Sequence, residues 1–194
     1  MSKSDPAASK KERNKTIRWV VTIFIITIVI SGTISFASNE LMSVSSVGVA
    51  FVILLVIIFI GIVFDIVGVA VTSADEKPFH SMAARKVTGA QEAIALLRNA
   101  ERVSSICNDV VGDICGVVSG SASASIAAQL IVHFSGSVGQ LVMLGMSALV
   151  AGLTVGGKAI GKTVAIGSCT QIVSTVGKII WMFHHLPDLM KKKK

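Results

Sequence analysis

Residues 47–72 read VGVAFVILLVIIFIGIVFDIVGVAVT. A helix that crosses a bilayer needs about 20 mainly apolar residues, and this run exceeds that with one ionisable group, Asp65. It is plain hydrocarbon from Val47 to Ile62. Its character then changes through Phe64-Asp65-Ile66-Val67-Gly68-Val69-Ala70-Val71-Thr72-Ser73, where an acid, a glycine and two hydroxyls gather near one end.

The same pattern recurs on either side. No charged residue lies between Arg18 and Glu40, and none between Asp113 and Lys158. The second gap is long enough for two spans joined by a hairpin. The expectation is an all-α integral membrane protein with four spans, at roughly 19–37, 47–72, 106–132 and 139–158. Composition agrees: 52% of residues are hydrophobic and only 15% charged, whereas soluble domains carry about 25% charge. A soluble enzyme, a disordered chain and a disulfide scaffold are all disfavoured.

The formal net charge is +7, and the positions of the basic residues give it meaning. Lys3, Lys10, Lys11, Arg13, Lys15 and Arg18 precede the first span. Lys77, Arg85, Lys86, Arg98 and Arg102 lie between spans 2 and 3, and Lys178 with Lys191 to Lys194 closes the chain. The intervening loops, Ser38 to Ser46 with only Glu40 and the turn His133-Phe134-Ser135-Gly136-Ser137, contain no Lys or Arg. By the positive-inside rule both termini and the middle segment are cytoplasmic, as in a multi-pass protein of the inner or plasma membrane. Basic residues so placed call for no nucleic acid. The first apolar run is full span length behind a long basic lead, which fits an anchor better than a cleaved signal peptide.

Residues 1–16 read as a disordered basic tail, 17–178 as the transmembrane domain, and 179–194 as an interfacial and polybasic tail. Trp181 suits the headgroup level, and each terminal Lys near anionic lipid is worth about 1 kcal/mol. Cys107, Cys115 and Cys169 form no Cys-x-x-Cys pair, and an odd, scattered set in apolar segments reads as small helix residues.

The middle segment is a cytoplasmic short-helix region. Pro78 suits the start of a helix, and Thr88-Gly89-Ala90-Gln91 matches a capping box. Behind it, Ala90, Ala93, Ile94 and Leu97 share a face. That helix lies on the membrane surface, packs under the spans, or serves as a simple linker. Residues 164–176, broken by Gly167, continue span 4 or form a surface helix. Span 3 opens with Cys107-Asn108-Asp109-Val110-Val111-Gly112-Asp113, and Gly116, Gly120, Ala124 and Ala128 follow at steps of four. Small residues at that spacing let helix backbones approach in lipid, so a homodimer through this groove is expected. Asp109, Asp113, Gly116 and Gly120 fall within about 60° of one another on an ideal helix.

Ionisable groups inside spans are functional candidates by default. Here they are Asp65, Asp109 and Asp113, with Asn108 as a neutral oxygen and Ser73 and Thr72 as nearby hydroxyls. Mg²⁺ prefers oxygen ligands, usually one or two carboxylates plus water. The plainer alternative is that these acids pair with Lys158 and Lys162 and merely hold the bundle. His133 reads as interfacial, and adjacent His184 and His185 make a poor metal pair. No hydrolase, kinase or dinucleotide motif is present, and Gly156-Gly157-Lys158 lacks the strand and spacing of a phosphate loop. The expectation is therefore not an enzyme.

The stretch Phe64 to Leu130 resembles the transmembrane domain of the CNNM/CorC (CorB) magnesium-transporter family. Val69-Ala70-Val71-Thr72-Ser73 looks like that family's small-residue end of a span. Gly89 to Leu97 followed by Ala100-Glu101-Arg102-Val103 looks like its short helices, and Gly157-Lys158-Ala159-Ile160-Gly161-Lys162-Thr163 like its final motif. The resemblance implies three core spans, here spans 2 to 4, with span 1 as an added anchor. It implies transport or binding of Mg²⁺, with Co²⁺ as a second candidate. Ser73 takes the position of the family's serine ligand, and Asn108 is the nearest match to its asparagine. Lys158 stands where the family has a glutamate, Gly161 where it has a proline, and Gly68 where an acid precedes the first-span alanine. The sequence shows no CBS pair, so nucleotide regulation through this polypeptide is not expected. The ligand set expected for a rebuilt site is Asp109, Asp113, Asn108, Ser73 and Asp65, and the alternative is a non-transporting membrane scaffold with structural Asp–Lys pairs.

Overall fold

The structure is a computed structural model that describes residues 6–43, 45–131 and 137–191. The described chain is helical, with no strand. Helix α1 runs Pro6–Ser43, α2 Val47–Ser73, α3 Lys77–Ala84, α4 Ala90–Arg98 and α5 Ala100–Ser105. A π-helical segment, Ile106–Gly112, leads into α6 (Asp113–Ile131), followed by α7 (Ser137–Gly167) and α8 (Cys169–Lys191). Four stretches are long and apolar enough to cross a membrane: Thr16–Ser38, Val47–Ser73, Ala100–Ile131 and Val138–Gly167. The protein is an all-α, multi-pass membrane protein.

Several boundaries differ from the sequence reading. Helix α1 begins at Pro6, inside the tail expected to be disordered. Residues 7–15 are mostly Ala, Lys, Glu and Arg, good helix formers, and they extend a helix already nucleated by the span. Its other end reaches Ser43, so the loop expected from Ser38 is shorter. Helix α7 passes 158 and ends at Gly167, while Cys169 to Val176 belongs to α8. The stretch 164–176 is thus divided between the two helices at Ser168. The tail expected from 179 is helical as far as Lys191. His133 and most of its turn lie outside the described residues, as do Lys192 to Lys194.

Spans 2, 3 and 4 form the bundle. Ala50, Leu54 and Ile58 of α2 pack on Ala122 and Ile126 of α6 and Val150 of α7. Helix α1 lies at the periphery, with Ile23 against Val110, Ile114 and Val118. Its Val20, Phe24, Ile28 and Phe36 are exposed, as lipid-facing residues should be. Apolar burial drives little between helices in lipid, so close packing and hydrogen bonds carry the association.

A second layer closes the end of the bundle at Ser73. Ala70 and Val71 of α2, Phe79 of α3, Ala93 of α4, Ala165 of α7 and Val173 of α8 form one buried cluster. Of the three placements left open for the amphipathic helix, α4 therefore takes the one beneath the spans. The capping box does not form. Helix α3 stops in a Schellman motif, with Val87 N–H donating to Met82 O at 3.0 Å and Lys86 N–H to Ala83 O at 2.9 Å. The chain then enters α4 directly through Gly89, which is left-handed (φ 81°), and Thr88 makes no cap bond. Gly89 is where α4 crosses α8 backbone to backbone. A methyl group on it would come within 2.5 Å of Lys178 N and 2.7 Å of the Gly177 carbonyl carbon. Glu76 joins the outer ends of this layer through Arg98 Nε at 3.0 Å and His80 Nε2 at 3.3 Å.

Candidate functional site

The bundle's polar contacts concentrate where α2, the π segment and α7 meet. Asp65 on α2 and Lys158 on α7 face each other, Nζ to Oδ1 at 3.6 Å, with side chains 16% and 27% exposed. Gly112, which ends the π segment, makes room for this pair. A methyl there would stand 3.2 Å from Lys158 Nζ, 3.4 Å from the Cys107 carbonyl oxygen and 4.0 Å from Asp65 Oδ1. A carboxylate, an ammonium and a backbone carbonyl thus converge over one bare α-carbon.

Asn108 lies beside them, against Gly68, which follows Asp65 by one helical turn. A methyl on Gly68 would overlap Asn108 Oδ1 and come within 2.8 Å of its Cγ. The Asn108 amide donates from Nδ2 to Ser104 Oγ at 3.2 Å. Its Oδ1 is buried and has no hydrogen-bond partner among the described residues. The π segment places these groups. Its N–H groups bond five residues back rather than four, and such turns often occur at functional sites. Nothing in the sequence marks the segment in advance.

Of the expected ligand set, the structure places Asp65 and Asn108 one helical turn apart along the contact of α2 with the π segment, and leaves the other three exposed. Asp109 is exposed and accepts a bond from Ser105 Oγ at 2.8 Å. Asp113 is exposed at the start of α6, and Ser73 is exposed at the end of α2, about 12 Å along the helix from Asp65. Among the described residues no three His, Cys, Asp or Glu side chains could share a metal ion. Asp109 and Asp113 do lie on the same side as Gly120, Ala124 and Ala128, but that side is the exposed one. The bundle instead receives the face with Val118, Ser119, Ala122, Ser123 and Ile126. Lys162, the other cation considered for pairing, is exposed. The three cysteines are free thiols within helical segments. His185 stacks on Trp181, ring centroids 4.4 Å apart.

A second buried polar atom lies farther along span 3. Ser119 and Ser121 donate back to Gly116 O and Val118 O, both at 2.9 Å. Ser123, only 2% exposed, has no partner for its Oγ among the described residues. An unsatisfied buried hydroxyl costs about 1–3 kcal/mol. Ser123→Ala is therefore expected to raise the thermal unfolding midpoint in detergent, by the equivalent of about 1 kcal/mol. A lowered midpoint would show that the hydroxyl has a partner in the folded protein.

No family model, no curated protein and no solved structure matches this chain.

Proposed function

We propose that the protein binds or transports divalent cations, Mg²⁺ first and Co²⁺ second, at the oxygen site between α2 and the π segment. The observation that carries this reading is Asn108 Oδ1, a buried oxygen with no partner, held against the glycine one turn from Asp65. A hard cation that keeps most of its water needs only a carboxylate and one or two neutral oxygens from the protein. Asp65, Asn108 and the Cys107 carbonyl are donors of that kind. The resemblance to the CNNM/CorC transmembrane domain points to the same ions. The charge blocks favour a site in the cytoplasmic half of the bilayer, with both termini inside. A protease that cuts a C-terminal tag only in inside-out vesicles would support this orientation, and cutting in right-side-out vesicles would reverse it.

A second reading has its own observation. Lys158 already neutralises Asp65 at 3.6 Å, as in a non-transporting scaffold or subunit whose ion pair sets helix register. Mg²⁺ flux into liposomes holding the purified protein, followed by an internal dye, separates the two. The transporter reading expects flux in the wild type and its loss in Asn108→Leu, which removes the oxygen without leaving a charge unpaired. Absence of flux from a folded wild type that Mg²⁺ does not stabilise would sink the reading and leave the scaffold.

A further inference from the structure

We infer that Lys158 is a tethered competitor for the cation at this site: its ammonium holds the Asp65 carboxylate, and a divalent ion enters when the ammonium leaves. The inference rests on the cation reading above and concerns how that site is occupied.

Three features of the contact point this way. The 3.6 Å separation is longer than the 2.7–2.9 Å of a tight charge-assisted bond, so Lys158 rests on Asp65 without being locked there. The ammonium lies over Gly112, where any side chain would crowd it. With a methyl there at 3.2 Å the ammonium would have to give by a few tenths of an ångström, so glycine leaves its resting place unobstructed. The side chain is also 27% exposed, on a helix that continues inward to an exposed Lys162. A lysine stem so placed can swing its charge toward the headgroups, as long basic side chains near the membrane edge do.

Charge makes the two occupants exclusive. Asp65 is the one acid that the structure places at the site, and with Lys158 in contact the pair is neutral. A divalent ion added beside a retained ammonium would meet repulsion from a charge about 4 Å from the shared carboxylate, strongly felt at reduced dielectric. Once Lys158 has swung away, Asp65 is free to face the ion, and the Asn108 oxygen against Gly68, one turn along α2, is the neutral donor within reach of a side-chain rotation. Lys158 then sets the apparent affinity, since the ion binds only to the fraction of molecules with the ammonium withdrawn.

The test is Mg²⁺-dependent thermal unfolding of the full chain in detergent, with choline chloride matching ionic strength, for wild type, Lys158→Met and Lys158→Met/Asn108→Leu. The expected result is an apparent Mg²⁺ affinity at least tenfold tighter in Lys158→Met, reverting when Asn108 is also replaced. If Lys158→Met does not fold, Lys158→Gln removes the charge and keeps a polar side chain, with the same expectation. Wild type that responds to Mg²⁺ beside a variant with equal or weaker response would overturn the competitor role and leave the cation site standing. No response in wild type or either variant would remove both.

Discussion

Gly89→Val should detach the second layer, the short helices with α8, from the bundle. The residue sits at φ 81°, a conformation that costs an L-residue roughly 1–2 kcal/mol. Its missing Cβ faces Lys178 N, Lys178 Cα and the Gly177 carbonyl carbon, all within 2.7 Å. These are backbone atoms, so no side chain can rotate aside, and forced overpacking typically adds 1–3 kcal/mol. Together the terms predict a loss of about 3 kcal/mol for alanine and more for valine. Protease sensitivity between α7 and α8 should rise with it, because Gly177 is the matching surface on α8. Gly152→Ala is the control: a methyl there meets nothing within 4 Å. An unchanged midpoint in Gly89→Val would mean that α4 and α8 do not cross as described.

The second large effect belongs to the ion pair. Asp65→Asn leaves Lys158 as a half-buried ammonium without a counter-charge, and breaking a buried pair from one side costs 3–5 kcal/mol. With 16% and 27% of the two side chains exposed, and with Lys158 able to swing its charge toward the headgroups, the expected loss falls below that range, at about 2 kcal/mol. Adding Lys158→Met should recover most of that loss, since replacing both partners by apolar groups is often neutral. A double variant as unstable as the sum of its two single variants would show that the two residues do not interact. The cycle also bears on function. If the pair is only structural, the double variant keeps whatever the protein does; if Asp65 holds an ion, the stable double variant loses Mg²⁺ dependence.

The four spans were legible because hydropathy along a chain is a one-dimensional property. The gap between Asp113 and Lys158 marks two spans whatever their packing, and the run from Val47 marks another. The inward face of span 3 was not legible. Small residues suit a groove open to lipid and a seam inside a bundle equally well, and Gly116, Gly120, Ala124 and Ala128 gave no way to choose. Asp109 and Asp113 share a helix side as their spacing implies, but only the three-dimensional packing shows that this side points away from α2. Asp65 with Lys158 could be named as one of several acid–lysine pairings, and the selection among them comes from the packing, which leaves Asp109, Asp113 and Lys162 exposed. At Gly89 a local rule was misleading: Thr88 has the right spacing for a cap, but the preceding helix ends in its own motif, and the helix crossing demands a glycine one residue later.

The crossing of Gly89 with Gly177 also orders events during synthesis. Chains emerge from the N-terminus and fold progressively, so spans 2 and 3 and the short helices between them exist before α8 does. Until residues 169–178 have been made, the faces of Phe79 and Ala93 that Val173 and its neighbours will cover have no α8 against them. The second layer is therefore the last part of the molecule to close. A ribosome halted after α7 would leave a protein with all four spans made and this end of the bundle uncovered, the faces of Phe79 and Ala93 still open.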